Sequence, residues 1–524
     1  MRRVFFAMAV LLSCFMVYLA IFIKEYLWLC AIILPLLLIG FIDVFQKRRT
    51  IRRNFPILGH FRYFFEMIRP EINQYFVESN TDGKPISREQ RSLVYQRAKS
   101  ALDTLPFGTK KDVYAPGYQW VNHSMRPLKY DGSPLRINIG GPDCLQPYSS
   151  SILNISGMSY GSLSKNAVLA LSHGAKMGGF GLTTGEGGLT KYHLEGGADV
   201  IWQVGTGYFG CRTPEGNFSA DEFAKKAQHP QVKMIEIKLS QGAKPGHGGV
   251  LPAKKVTAEI AAIRGVPVGK DVNSPPAHSA FETPRELLKF IKQLRNLSGG
   301  KPIGIKFCLG KKRQFISLCK AMLIEKIMPD YLVIDGGEGG TGAAPLEFSN
   351  HVGYPLKEAI IVVHNALVGF DLRKHIRVVA SSGVFSGFDI IERISIGADA
   401  CNSARGMMLA LGCIQALRCN TNRCPTGIAT QNPQLVGGLD VKDKSKRVFQ
   451  YHYETIHSVG EILAAMGLTS STQLRPWHIM RRFDENTAKH YGEIFNYLKP
   501  GDLLSNDIPK EFAWAFAEAS ADSF

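Results

Sequence analysis

No Walker A sequence occurs anywhere in these 524 residues, which excludes that route to a nucleotide triphosphate. Internal repeats and low-complexity tracts are also missing, so neither a solenoid nor a long disordered tract is expected. The formal net charge is +18, yet no basic stripe interleaves with stacking aromatics, so nucleic acid is not an expected partner. Ten cysteines form no secreted disulfide framework: Cys14 and Cys30 lie in apolar segments and three others crowd into residues 413–424. That usage points to a reducing compartment. One GxGxxG match exists, Gly205 to Gly210 after a predicted strand, but the loop-like Cys211-Arg-Thr-Pro-Glu-Gly follows where a dinucleotide fold needs a helix. Charged residues make up only 20% against 45% hydrophobic, a globular balance. The length exceeds one ordinary core, so a large domain with appendages is expected.

Long apolar runs are present at the amino terminus. Residues 4–23 are unbroken by charge and long enough to cross hydrocarbon as a helix. After Lys24 and Glu25, residues 27–42 form a second, shorter run containing Pro35, which Asp43, Val44 and Phe45 extend. Arg2 and Arg3 precede the pair. Lys47, Arg48, Arg49, Arg52 and Arg53 follow it, where anionic lipid would meet them. Both flanks are richer in Lys/Arg than the turn, so both ends are expected in the cytoplasm. The first run is too long for the apolar core of a signal peptide. This reads as a two-pass hairpin, residues 1–46, in the cell inner membrane, with membrane lipid as its partner and the catalytic domain cytoplasmic.

Residues 47–150 mix aromatics, Pro and charges and read as a mostly irregular collar with a short helical pattern at 88–101. From 151 to 435 short apolar runs alternate with Gly-rich turns and amphipathic stretches. The runs are 152–156, 179–183, 200–204, 234–239, 303–307, 331–335, 377–381 and 398–402. The predicted class is α/β, a (β/α)8 TIM barrel with an N-terminal transmembrane helical hairpin. A doubly wound sheet is the alternative, and the compact spacing favours closure. Residues 436–524 form a C-terminal helical appendage.

In such a barrel the carboxyl ends of the strands build the site. Gly- and Ser-rich segments fall at those ends: Gly157-Met158-Ser159, Thr184-Gly185-Glu186-Gly187-Gly188, Gln241-Gly242-Ala243-Lys244, Gly336 to Gly342, Ser382-Gly383 and Ala404-Arg405-Gly406. Small loops after strands seven and eight are where barrels hold a phosphate. Lys238, Lys306 and Asp335 sit at or near the ends of apolar strands. A lysine there needs an anion, either a reduced flavin ring or a barrel carboxylate such as Glu236. Cys413, Cys419 and Cys424, with Pro425 behind, place three thiols in one loop. Thiolates so placed suit an iron–sulfur cluster, of three irons or of four with an outside ligand. Zinc is the rival, but it favours CxxC spacing and a fourth ligand.

The segments ISGMSYGSLS, TTGEGG, IKLSQGAKPGHGGVLPAKKV, SPPAHSAF, IDGGEGGTGAAP and GCIQALRCNTNRCPTGIATQ together resemble the FMN-binding synthase domain of glutamate synthase. The likeness covers roughly residues 150–435, and the whole chain is similar to stand-alone, membrane-anchored proteins of that family. The resemblance implies FMN and a [3Fe-4S] cluster on Cys413, Cys419 and Cys424. It implies an oxidoreductase acting on CH-NH2 donors that reduces 2-iminoglutarate, formed from 2-oxoglutarate and ammonia, to L-glutamate. Carried over by motif, Glu186, Lys238 and Arg264 would face the 2-oxoacid, and Met158, Ser159, Lys306, Gly336, Gly337, Ser382, Gly383 and Arg405 would surround FMN.

Three departures stand out. Val250 replaces a Gln that the family often carries in this segment, removing a substrate hydrogen bond. Ser381-Ser382-Gly383 replaces Asp-Gly-Gly. No amidotransferase domain is expected, since residue 2 is Arg and not a nucleophilic Cys. Free ammonia or an ammonia-supplying subunit would then be needed, and an electron-donor protein in place of a nicotinamide or FAD module. Two other readings stay open: an FMN and iron–sulfur oxidoreductase acting on a different 2-oxo or imino acid or a membrane electron carrier, and a non-catalytic redox-responsive scaffold.

Overall fold

The computed structural model describes residues 1–524. It separates into two compact units, Met1–Arg88 and Glu89–Phe524.

The first unit begins with two apolar helices, Arg2–Phe22 and Cys30–Phe45, joined by the 3-10 turn Lys24–Leu29. Arg2–Phe22 and the segment Lys24–Phe45, in which the turn runs on into the second helix, are each long and apolar enough to cross a membrane. They meet through Phe5, Ala9, Leu37 and Val44. Gly40 permits this approach, since a Cβ there would stand 2.1 Å from the Phe5 ring. Their outer faces leave apolar side chains such as Val10, Leu11 and Leu38 exposed. Two further helices follow, Thr50–Asn54 and Gly59–Ile72. The latter occupies sequence that reads as irregular. Its apolar residues 61, 64, 65, 68 and 72 do recur at helical spacing. Pro70 in the last turn masks that pattern.

The second unit is built on a closed barrel of parallel strands: β1 (Leu153–Ile155), β2 (Gly181–Thr183), β3 (Asp199–Val204), β4 (Val232–Lys238), β5 (Ile303–Phe307), β6 (Tyr331–Asp335), β7 (Arg377–Ser381) and β8 (Ala400–Ser403). Each pairs with the next in sequence, and β8 closes on β1 through Ser403 beside Ile155. The doubly wound alternative is thereby excluded. Expected bounds for β5, β6 and β7 match those observed. β2 starts later than its apolar run because Gly179, at φ +62°, still caps helix Lys165–Gly178.

A short antiparallel pair, Arg136–Ile139 with Tyr148–Ser151, sends Ile139 and Tyr148 into a cluster with Ile201, Met234, Tyr331, Val333, Val379 and Ala400. Most of those residues lie in the amino-terminal halves of their strands. The pair therefore plugs the amino-terminal mouth and leaves the carboxyl mouth for chemistry. Helix Val441–Ala465 packs along Lys165–Gly178, where a Cβ at Gly174 would come within 2.8 Å of Val448. Behind it Ile479–Arg482 pairs antiparallel with both Gln119–Val121 and Ala488–His490, so segments before and after the barrel share one small sheet.

Candidate active site

Lys238 ends β4 and aims its ammonium at the carboxyl mouth. Its Nζ lies 3.1 Å from Glu186 Oε2 and donates to Gln241 Oε1 at 2.9 Å. Glu186, in the loop after β2, is seated between glycines: a Cβ at Gly249 would stand 2.1 Å from its Oε1, and one at Gly205 2.7 Å from its Cβ. Arg264 ends helix Ala258–Arg264 and is buried, with Nη2 donating to the Tyr160 carbonyl at 3.1 Å and its guanidinium 5.1 Å from the Phe209 ring. Its Nε is buried without an acceptor, a donor that a bound carboxylate would satisfy. Burial alone would push the Glu186 carboxyl up, but Lys238, Arg264 and Lys244 outweigh it and hold the group below its ordinary value. Burial lowers Arg264 to about 10, against the pull of Glu186. His278, whose Nε2 is 2.9 Å from the Lys238 carbonyl, is lowered by burial to about 4 and so is neutral near pH 7. The structure thus brings Glu186, Lys238 and Arg264 into one electrostatic group.

Beside them opens a cleft lined among others by Lys238, Lys306, Asp335, Ser382, Gly383 and Arg405. Lys306 Nζ is 3.6 Å from Asp335 Oδ2 and 3.4 Å from Ser156 Oγ. The Asp335 carboxylate also accepts from the Gly242 N–H at 2.9 Å and from Ser382 Oγ at 3.1 Å. Neither Lys238 nor Lys306 has Glu236 as its ion-pair partner. Glu236 stands beside Gln203 in the β3–β4 register and accepts its hydrogen bond instead. Burial raises the Glu236 carboxyl, and one of its oxygens lacks a partner. At the rim Ser382 takes φ +131° and Gly383 φ +63°, a bent loop whose first residue is strained for a side chain.

Four of the residues named from sequence around the flavin do not line this cleft. Gly157 does so in place of Met158 and Ser159. Ser159 instead backs the loop after β2, where a Cβ at Gly185 would stand 2.5 Å from its nitrogen. Gly336 presses its carbonyl against Gly242, and Gly337 donates to the Tyr354 carbonyl at 2.7 Å. Gln241, in a segment picked out from sequence, lines the cleft, as do Ser156, Gln203 and Asn402, which sequence reasoning did not single out. Gln203 and Asn402 left a trace as polar residues interrupting apolar strands. The lining suits an anionic planar cofactor: ammonium groups along one wall, an arginine and two small-residue loops at the mouth of β7 and β8.

Cys413, Cys419 and Cys424 follow helix Arg405–Ala410 in one loop. Cys413 feels the charge of both Cys419 and Cys424, and Cys419 feels that of Cys424. The side chains do not already converge as a metal-binding group. Their chemistry still suits thiolate ligation. Burial would raise Cys424, but the Thr426 hydroxyl and backbone N–H groups prevail and lower it. Burial pushes Cys413 up to about 11. The buried Lys255 ammonium faces Cys419 and Cys424 while donating to the Ser162 carbonyl at 3.0 Å. Gln431 Nε2 donates to the carbonyls of Gly161 and Leu163 at 3.0 and 2.8 Å, which ties this loop to the one after β1 at the barrel mouth.

A family profile described as a conserved region in glutamate synthase matches residues 144–469. The glutamate synthase large subunit-like protein YerD of Bacillus subtilis is 36% identical over 500 residues, covering 87% of this chain and 95% of that one. The archaeal glutamate synthase [NADPH] of Methanocaldococcus jannaschii is 39% identical over 322 residues, 61% of this chain and 60% of its own length. The ferredoxin-dependent glutamate synthase of Antithamnion sp. is 29% identical over 453 residues, 81% of this chain and 27% of its own length.

Proposed function

The chain belongs to the glutamate synthase family, and from that premise we propose that it reduces 2-iminoglutarate, formed from 2-oxoglutarate and ammonia, to L-glutamate with FMN and an iron–sulfur cluster. The observation that carries this reading is the group Glu186, Lys238 and Arg264 standing beside a cationic cleft at the carboxyl mouth of the barrel. FMN bound there would supply a hydride to the imine carbon. Lys306 and Arg405 would hold it, with the loop at Ser382 and Gly383 offering backbone N–H groups to its phosphate. Arg264 binds a substrate carboxylate through its unpartnered Nε. Lys238 fixes the 2-oxo end and holds Glu186 ionised, so that Glu186 can accept a proton from the incoming ammonia. Cys413, Cys419 and Cys424 would hold the cluster, which would supply one-electron transfer from an electron-donor protein. Ammonia arrives free or from a supplying subunit. The helices Arg2–Phe22 and Cys30–Phe45 anchor the chain in the cell inner membrane as a two-pass hairpin, with the catalytic unit cytoplasmic.

One observation favours a second substrate. Val250 follows Gly249, the residue packed on Glu186, and pairs with Asn273. An apolar side chain in this wall suits a 2-oxoacid with a less polar tail. The test is anaerobic. The purified full chain is photoreduced, and 2-oxoglutarate with ammonium is added. Rapid reoxidation of the flavin, with glutamate formed, supports the first reading. Reoxidation only by other 2-oxoacids supports the second. Bound cofactors that no 2-oxoacid or acceptor reoxidises would make the protein a redox-responsive scaffold.

A further inference from the structure

The first unit carries a third apolar surface besides its two long helices. Helix Gly59–Ile72 and the turn Asn73–Val77 place Phe61, Phe64, Phe65, Ile72, Tyr75 and Phe76 at spacings of three, four, eleven, fourteen and fifteen from the first. At α-helical pitch Phe61, Phe64, Phe65 and Ile72 fall on one stripe of about 100°, and Tyr75 and Phe76 follow in the π-helical turn. All six are exposed, from 44% at Ile72 to 81% at Phe76. Five exposed aromatic rings in so short a segment are far more apolar surface than an aqueous surface ordinarily carries.

This helix is fixed to the base of the second apolar helix by specific contacts. Asp43, buried in the last turn of Cys30–Phe45, hydrogen-bonds His60 Nε2 at 2.8 Å and accepts from the Ile57 N–H at 3.0 Å. Arg53 Nε donates to the Val44 carbonyl at 3.3 Å. The Tyr63 ring lies 4.6 Å from the Arg49 guanidinium and 4.8 Å from that of Arg52. Gly59 sits against the Arg52 backbone, where a Cβ would come within 2.8 Å. His60 and Tyr63 thus hold one side of the helix, and the aromatic stripe lies on another. Around it stand Lys47, Arg48, Arg49, Arg52, Arg53, Arg62 and Arg69, against only Glu66 and Glu71.

We propose that residues 59–77 lie in the plane of an anionic membrane surface, where the second span ends, with the aromatic stripe among the lipid chains and the basic cluster on the phosphates. The chemistry is that of an interfacial helix: apolar burial on one face, and attraction of basic residues to an anionic surface on the other. Continuity with the span and charge complementarity select lipid as the occupant. The proposal rests on the reading of Arg2–Phe22 and Cys30–Phe45 as membrane spans.

The test uses the full chain reconstituted in phosphatidylcholine vesicles, with or without phosphatidylglycerol, carrying a phospholipid photoactivatable near its glycerol backbone. Adducts are mapped by peptide mass spectrometry. The expected result is labelling of 59–77 as well as of 2–45, with the 59–77 adducts rising several-fold when phosphatidylglycerol is present. In the full chain carrying F61S, F64S, F65S and F76S the 59–77 adducts should fall several-fold while those on 2–45 persist. Labelling of 2–45 without 59–77 overturns this proposal and leaves the spans standing. Chain-to-chain crosslinks between two 59–77 segments in place of lipid adducts overturn it in favour of a second copy. Labelling of neither segment overturns both readings.

Discussion

Lys238 and Glu186 face each other at 3.1 Å with side-chain exposures of only 12% and 19%. Removing one partner leaves the other charge poorly solvated, which costs about 3–5 kcal/mol for a buried pair, with the low end expected here because some water reaches both. Lys238→Met should therefore destabilise the protein by about 3 kcal/mol in urea unfolding. Lys238→Met with Glu186→Gln should recover most of that loss and none of the turnover. Because the folded Glu186 is depressed below 4.5, its stabilisation is present above that value and is lost as pH falls through the lower folded value. Melting curves recorded below pH 4.5 should show a shallower acid decline in Glu186→Gln than in the unaltered protein. The thiols are separable from the cleft in the same way. Cys413→Ser, Cys419→Ser and Cys424→Ser should each lose iron, measured by metal analysis, while the flavin absorbance remains.

The loops depend on backbone meeting backbone. A Cβ at Gly242 would stand 1.7 Å from the Gly336 carbonyl, and neither group has a side chain to move aside. Gly242→Ala should thus part the loops after β4 and β6, costing about 1–3 kcal/mol as overpacking does. The Asp335 carboxylate that pairs with Lys306 accepts from the same Gly242 N–H, so flavin retention on gel filtration should fall with it. The strand pair Val250–Leu251 with Val272–Asn273 directly follows Gly249, which packs on Glu186. Val250→Gln restores an amide there and should lower the KM for 2-oxoglutarate about tenfold, the value of one added hydrogen bond. No change in KM would show that residue 250 does not meet the substrate.

The division into Met1–Arg88 and Glu89–Phe524 separates an apolar, basic unit from the barrel. All strands of the barrel, its plug and the helices packed on it belong to the second unit. A chain of residues 89–524 should therefore fold without detergent and keep its flavin, while the full chain sediments with membranes and resists alkaline extraction. Aggregation of residues 89–524 with loss of flavin would show that the barrel needs the first unit.

Period and punctuation in the sequence were enough for the barrel, because buried parallel strands must be short apolar runs and their carboxyl ends must turn through small residues. The two apolar helices were legible for the same reason, since an unbroken apolar run has few other uses. Lys238 and Lys306 were visible as charges in apolar strands, but their partners were not. Whether Glu236, Glu186 or Asp335 answers them depends on register and on which loop folds inward, and those are decided between strands far apart in sequence. The helix at 59–72 and the cleft residues Gln203 and Asn402 were hidden likewise. Local propensity sees neighbours along the chain, whereas closure of the barrel and docking of Asp43 on His60 are long-range contacts that exist only once the chain has packed.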